Sequence, residues 1–116
     1  MTHPVAFFEI VSPDPERARR FYADVFGWTY EVDDDGYALV DTGAGDGAVT
    51  GGIGPSEADG DVGVKIYVRT DDLEGSLTKV KAAGGETVLP PMDLPGGFGT
   101  IAVVVDLDGN PLGLWS

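Results

Sequence analysis

The apolar positions of this chain fall into short dense runs and two spaced stripes. Val5 to Val11 is a dense run with the length of a buried strand. Asp14 then stands where it can cap a helix, with Pro15 at the first helical position and Glu16 in the first turn. Ala18, Phe21, Tyr22, Val25 and Phe26 recur at helical spacing and predict one apolar stripe, which Gly27 ends. Trp28 to Val32 and Tyr37 to Asp41 flank the acidic turn Asp33-Asp34-Asp35-Gly36 and predict a hairpin. Thr42 to Gly47 is a Gly-rich loop, Ala48 to Ile53 a short strand, and Pro55 to Asp61 a polar connector.

The same order then returns. Val62 to Arg69 predicts a strand, and Asp71 or Asp72 caps a helix carrying Leu73, Leu77, Val80 and Ala83. Glu86 to Leu89 predicts a strand, and Pro90 to Gly99 a long mobile loop. Thr100 to Val105 and Leu112 to Trp115 are strands around an Asp-Gly turn. Sliding the chain by 58 residues puts Asp14 on Asp72, Glu16 on Glu74 and Gly27 on Gly85. Those identities mark where a helix starts and ends, so the chain reads as two similar halves around one shared site.

Composition narrows the partners. The 116 residues suit one domain with a substantial core. No run approaches the ~20 apolar residues that span a bilayer, and the start shows no secretory leader, so a cytoplasmic location is the default. There is no cysteine, hence no disulfide and no thiolate ligand. Twenty acids against seven bases give a net charge of −13. Such a surface repels nucleic acid and anionic membranes. Fourteen of the acids are Asp and only three residues are Lys, a balance suited to very high salt.

Two stretches carry a family resemblance. Phe21-Tyr22 through Val25-Phe26-Gly27-Trp28, and Asp106-Leu107-Asp108-Gly109-Asn110-Pro111 before the last strand, resemble motifs of the vicinal oxygen chelate superfamily. This is the glyoxalase, bleomycin-resistance and extradiol-dioxygenase fold. The resemblance covers essentially the whole chain and implies an α+β fold. It implies two tandem βαβββ modules, about 4–54 and about 62–116 of a single domain 1–116, with curled mixed sheets around a cup. It also implies a small-molecule ligand and a homodimer.

Metal-dependent members hold a divalent ion on the first and last strands of each module. The matching positions here fall near Phe7 and Lys65, and near Gly51 and Gly113, none of which is a metal ligand. The single histidine, His3, stands three residues into the chain, where a terminal tail is expected, and there is no glutamine. No metal and no other cofactor is therefore expected.

Strand alternation selects candidate ligand contacts. Phe8 and Ile10, and Val64, Ile66 and Val68, form apolar faces that belong against the helices. Phe7, Glu9, Lys65 and Tyr67 then turn toward the cup, with Glu9 and Lys65 as a candidate ion pair or acid–base pair. Trp115 offers a stacking surface or a core contact, Phe98 an apolar contact on a lid, and Trp28 a structural cover for the first helix. Tyr37 has no direction assignable from sequence. Gly51-Gly52 would let a ligand or backbone come close. Four functions stay open. One is a metal-free small-molecule binder of the resistance-protein kind. Another is a metal-independent lyase or isomerase using Glu9 and Lys65. The others are a metal-dependent lyase with ligands elsewhere, and a partner-binding module with an empty cup.

Overall fold

A computed structural model describes residues 2–43, 45, 49–56 and 63–116. Most of the Gly-rich loop and of the polar connector lies outside the described residues. The chain divides into two compact units, Phe7–Val64, and Lys65–Ser116 together with Met1–Ala6. The elements of the first half are β1 (Val5–Ser12), α1 (Pro15–Phe26), β2 (Thr29–Val32), β3 (Ala38–Asp41) and β4 (Thr50–Pro55). Those of the second are β5 (Gly63–Arg69), α2 (Leu73–Ala82), β6 (Glu86–Asp93), β7 (Thr100–Val105) and β8 (Pro111–Trp115). Each half is βαβββ in an α+β fold. No helix among the described residues is long and apolar enough to cross a membrane.

The halves share one topology. In the first, β3 pairs antiparallel with β2 and β4, and β4 pairs parallel with β1. In the second, β7 pairs antiparallel with β6 and β8, and β8 pairs parallel with β5. The helix starts match as well. Asp14 (φ −134°, ψ 81°) accepts the Arg17 N–H, and Asp72 (φ −138°, ψ 83°) accepts the Gly75 N–H. Asp72, not Asp71, is thus the second cap. α1 ends at Gly27 in the left-handed region, where a side chain would be strained.

Each unit has its own core against its helix. Ile10, Ala38, Val40 and Ile53 are buried, with Phe8, Ala18, Tyr22, Trp28 and Tyr30 packed on them. Trp28 closes this end: its ring stacks on Tyr22 at 5.1 Å and tilts against Phe8 at 5.6 Å. The Tyr30 phenol ties β2 to α1 by donating to the Arg19 carbonyl at 3.0 Å, and burial raises its pKa above the ordinary 10.0. In the second unit Leu73, Ala102, Val104 and Leu114 are buried, with Val68, Leu77, Val80 and Leu112 around them.

Three expectations are corrected here. The α1 stripe is only partly covered: Ala18 and Tyr22 reach the core, while Phe21, Val25 and Phe26 stay exposed. Val64 and Ile66 are likewise exposed, and only Val68 of that face meets the α2 core. β6 runs on to Asp93 through Pro90 and Pro91, so the long loop shrinks to Leu94–Gly99. Its pairing with β7 shifts register on both sides of Leu89, and β6 is bordered on one side only within its unit. An irregular edge strand tolerates prolines because their missing N–H groups are not needed for the ladder.

Candidate functional site

The face opposite the helix carries the chemistry in each unit. On β1 and β4, Phe8 lies beside Gly51, Glu9 beside Gly52 and Ile10 beside Ile53. Ile10 and Ile53 are core residues, so Glu9 and Gly52 point away from α1. Phe7 shares the Glu9 face, and Leu39, beside Gly52 on β3, joins it. The alternation expected for Phe7, Phe8, Glu9 and Ile10 is the one observed.

Tyr37, the residue before β3, turns onto this face. Its hydroxyl donates to Glu9 Oε2 at 2.8 Å. The turn that delivers it is built by Asp33, whose Oδ1 accepts the N–H groups of Asp35 and Tyr37, both at 2.9 Å. The ring lies where side chains at Gly52 and Gly54 would stand. Gly51 is filled from the other side by the Phe8 ring. The paired glycines therefore make room for the protein's own aromatic rings, not for a ligand or a second backbone. Tyr37 is the site residue that alternation could not place, because it lies in a turn. Its signal was the Asx turn at Asp33, which sets how the chain enters β3.

In the second unit Lys65, Tyr67 and Arg69 share one face of β5, and Gly113 and Trp115 lie beside Tyr67 and Arg69 on β8. Tyr67 is only 6% exposed, and its ring occupies the space above Gly113. Lys65 is half-buried. The Trp115 indole N–H donates to the Phe98 carbonyl at 2.7 Å, so Phe98 meets Trp115 through its main chain while its ring is 65% exposed. The Arg69 guanidinium sits 4.5 Å above the Trp115 ring. Glu9 belongs to the first unit and Lys65 to the second.

The donor set does not fit a divalent ion of the kind the resemblance allows. On the last strand of the first half Gly52 faces away from the helix, while Gly51 faces Phe8 on the helix side. Of these positions Gly52, Gly113 and Phe7 carry no donor and Lys65 is a cation, which leaves Glu9 as a carboxylate on that face of the first unit. Among the described residues no three His, Cys, Asp or Glu gather.

Comparisons with known proteins agree with this architecture. Residues 4–114 match the model of the Glyoxalase/Bleomycin resistance protein/Dioxygenase superfamily. The chain belongs to this superfamily. It is 30% identical over 126 residues to the anthracycline biosynthesis protein DnrV of Streptomyces peucetius, covering 95% of this chain and 46% of DnrV. The chain thus spans about half the length of that relative. It is 27% identical to a glyoxylase-like domain-containing protein of Didymella fabae, covering 91% of this chain and 88% of that one. Among solved structures, methylmalonyl-CoA epimerase from Mycobacterium tuberculosis superposes with a TM-score of 0.66 at 18% identity, over 96% of this chain and 85% of that one. A hypothetical protein from Bacillus halodurans gives 0.72 at 12% identity, over 99% and 94%. At such identities these likenesses establish the fold alone.

Proposed function

We propose that this chain binds a small organic molecule without a metal ion, as a homodimer, with Glu9 as the polar anchor of the site. The contact between Tyr37 and Glu9 carries this reading. A phenol donating to one carboxylate oxygen holds the group in a single orientation on the face opposite the helix. Phe7, Leu39 and the Tyr37 ring supply apolar surface around it, the combination of a few polar groups in an apolar wall that small-molecule sites use. On the second unit taken by itself, Lys65, Tyr67, Trp115 and Phe98 are the residues proposed to meet a ligand. The relative named for anthracycline biosynthesis supports a ligand with aromatic rings.

A second reading rests on the same contact. Tyr37 and Glu9 form a donor–acceptor pair able to relay a proton, so a metal-independent lyase or isomerase would use Glu9 as base. Glu9→Gln separates the two. A binder keeps most of its affinity, whereas an acid–base enzyme loses about 10²-fold or more in turnover.

Native mass spectrometry of the purified protein in a volatile salt tests the first reading. A dimer carrying an organic adduct and no divalent ion supports it. A stoichiometric divalent ion overturns it and puts a metal-dependent lyase first.

A further inference from the structure

Arg69 is set apart by its place on an aromatic ring, in a chain with twenty acids and seven bases. Yet among the described residues the Arg69 guanidinium makes no ion pair and no side-chain hydrogen bond. Arg17, by contrast, pairs with Asp14 at 4.0 Å at the start of α1. Arg69 lies instead on the Trp115 ring, 4.5 Å from its centroid.

Both members of that stack are held from behind. Arg69 is the strand partner of Trp115, and its N–H donates to the Pro4 carbonyl at 2.8 Å. The next residue, Thr70, donates its N–H to the Trp115 carbonyl at 2.9 Å. The indole N–H is fixed on the Phe98 carbonyl. A guanidinium stacked on an aromatic ring keeps its N–H edge, a planar fork that matches a carboxylate, available at low entropic cost. Beside it opens a cleft of about 380 Å³, whose lining includes Thr2, His3, Arg69, Asp71 and Ser116. That volume lies within the range of small-ligand sites.

We propose that this cleft seats the carboxylate of a small organic monoacid, gripped by Arg69 against Trp115. His3 and Thr2 stand in the lining as further donors to the same group. Thr70 is not one of them, since its hydroxyl is engaged with Ser76 and Asp72. Asp71 sets the class. Asp71 lines the same cleft, and its negative charge raises the cost of a dianion such as phosphate more than that of a monoanion. The seat lies wholly within the second unit; it shares Trp115 with the ligand contacts proposed above and does not depend on Glu9 or Tyr37.

The test is a titration with benzoate, followed by the indole N–H signals in proton–nitrogen correlation spectra at one fixed KCl concentration. The chain has two tryptophans, so Trp28 serves as an internal control. Benzoate should move the Trp115 signal saturably and leave Trp28 in place. Arg69→Gln should weaken binding about tenfold or more, and Arg69→Lys should weaken it too, because an ammonium cannot offer the fork. Asp71→Asn should tighten benzoate binding several-fold and admit inorganic phosphate. The proposal fails if the wild type shows no saturable shift, if phosphate binds the wild type as well as benzoate does, or if Arg69→Gln binds benzoate unchanged. Should Arg69→Gln not fold, Asp71→Asn still decides: unchanged affinity for both anions overturns the site.

Discussion

The Tyr37 hydroxyl donates to Glu9 Oε2 at 2.8 Å, across 28 residues of sequence. The same ring occupies the volume above Gly52 and Gly54, so hydrogen bond and packing hold one side chain in one place. The two contributions separate by mutation. Tyr37→Phe keeps the ring and loses the donor, and should cost about 1 kcal/mol at this half-buried position. Gly52→Ala forces the ring out and should cost about 1–3 kcal/mol by overpacking. Urea unfolding of both variants measures the difference; equal, negligible losses would mean the contact contributes nothing.

Tyr67 over Gly113 is the corresponding relationship in the second unit. A methyl at Gly113 falls within the Tyr67 ring, and that ring is nearly fully buried. Gly113→Ala is expected to destabilise the chain by about 1–3 kcal/mol. Replacing Tyr67 by Leu as well should recover part of that loss, which thermal unfolding of the single and double variants reads directly.

The helix caps give a graded comparison. Asp14→Ala and Asp72→Ala each remove an acceptor from a helix start and should cost about 1 kcal/mol. Asp71, one residue before the second cap and exposed, should tolerate Ala within about 0.5 kcal/mol. A larger loss at Asp71 than at Asp72 would contradict the capping assignment.

Asp106 ties stability to pH. Its carboxylate accepts the Asn110 side-chain N–H at 3.0 Å and the Asn110 and Asp108 main-chain N–H groups, both at 2.9 Å. The Asn110 contacts lead in holding its pKa below the ordinary 3.8. A depressed folded-state pKa means that the ionised form is favoured by folding. Its contribution is therefore complete above the unfolded value and is lost as pH falls below 3.8 through the folded value. Asp106→Asn should flatten that part of the acid limb while leaving the slope near neutral pH unchanged. Melting temperatures of both proteins from about pH 6 to about pH 2 check this; parallel curves would exclude it.

Salt should act on the whole chain. At a net charge of −13, self-repulsion opposes the compact state, and a screening length of about 3 Å in molar salt relieves it. The melting temperature is expected to climb from low to molar KCl. A flat response would show that the acidic composition is no adaptation to salt.

Much of this protein was legible before its fold. The Asp14 cap, the left-handed Gly27 and the turns at Asp33 and Asp106 depend on neighbours within about four residues, so the sequence marks them, although it left the second cap between Asp71 and Asp72. The turns even share a geometry: Gly36 and Gly109, each three residues past the Asp, both have φ of 83°. Alternation on β1 likewise placed Glu9 and Phe7 opposite the helix face, because the pleat has a period of two. What stayed illegible depends on partners far along the chain. Whether Phe21 or Tyr22 is covered follows from which helical flank meets Trp28 and Phe8, and periodicity marks both alike. Pro90 and Pro91 read as a loop until β6 proved to be bordered on one side only within its unit. Tyr37 gained its direction from Glu9, and Arg69 its place from Trp115, through strand pairings that join distant segments. Local rules settle conformation because their energies act between near neighbours. Register and packing settle the sites, because those energies exist only once distant strands have met.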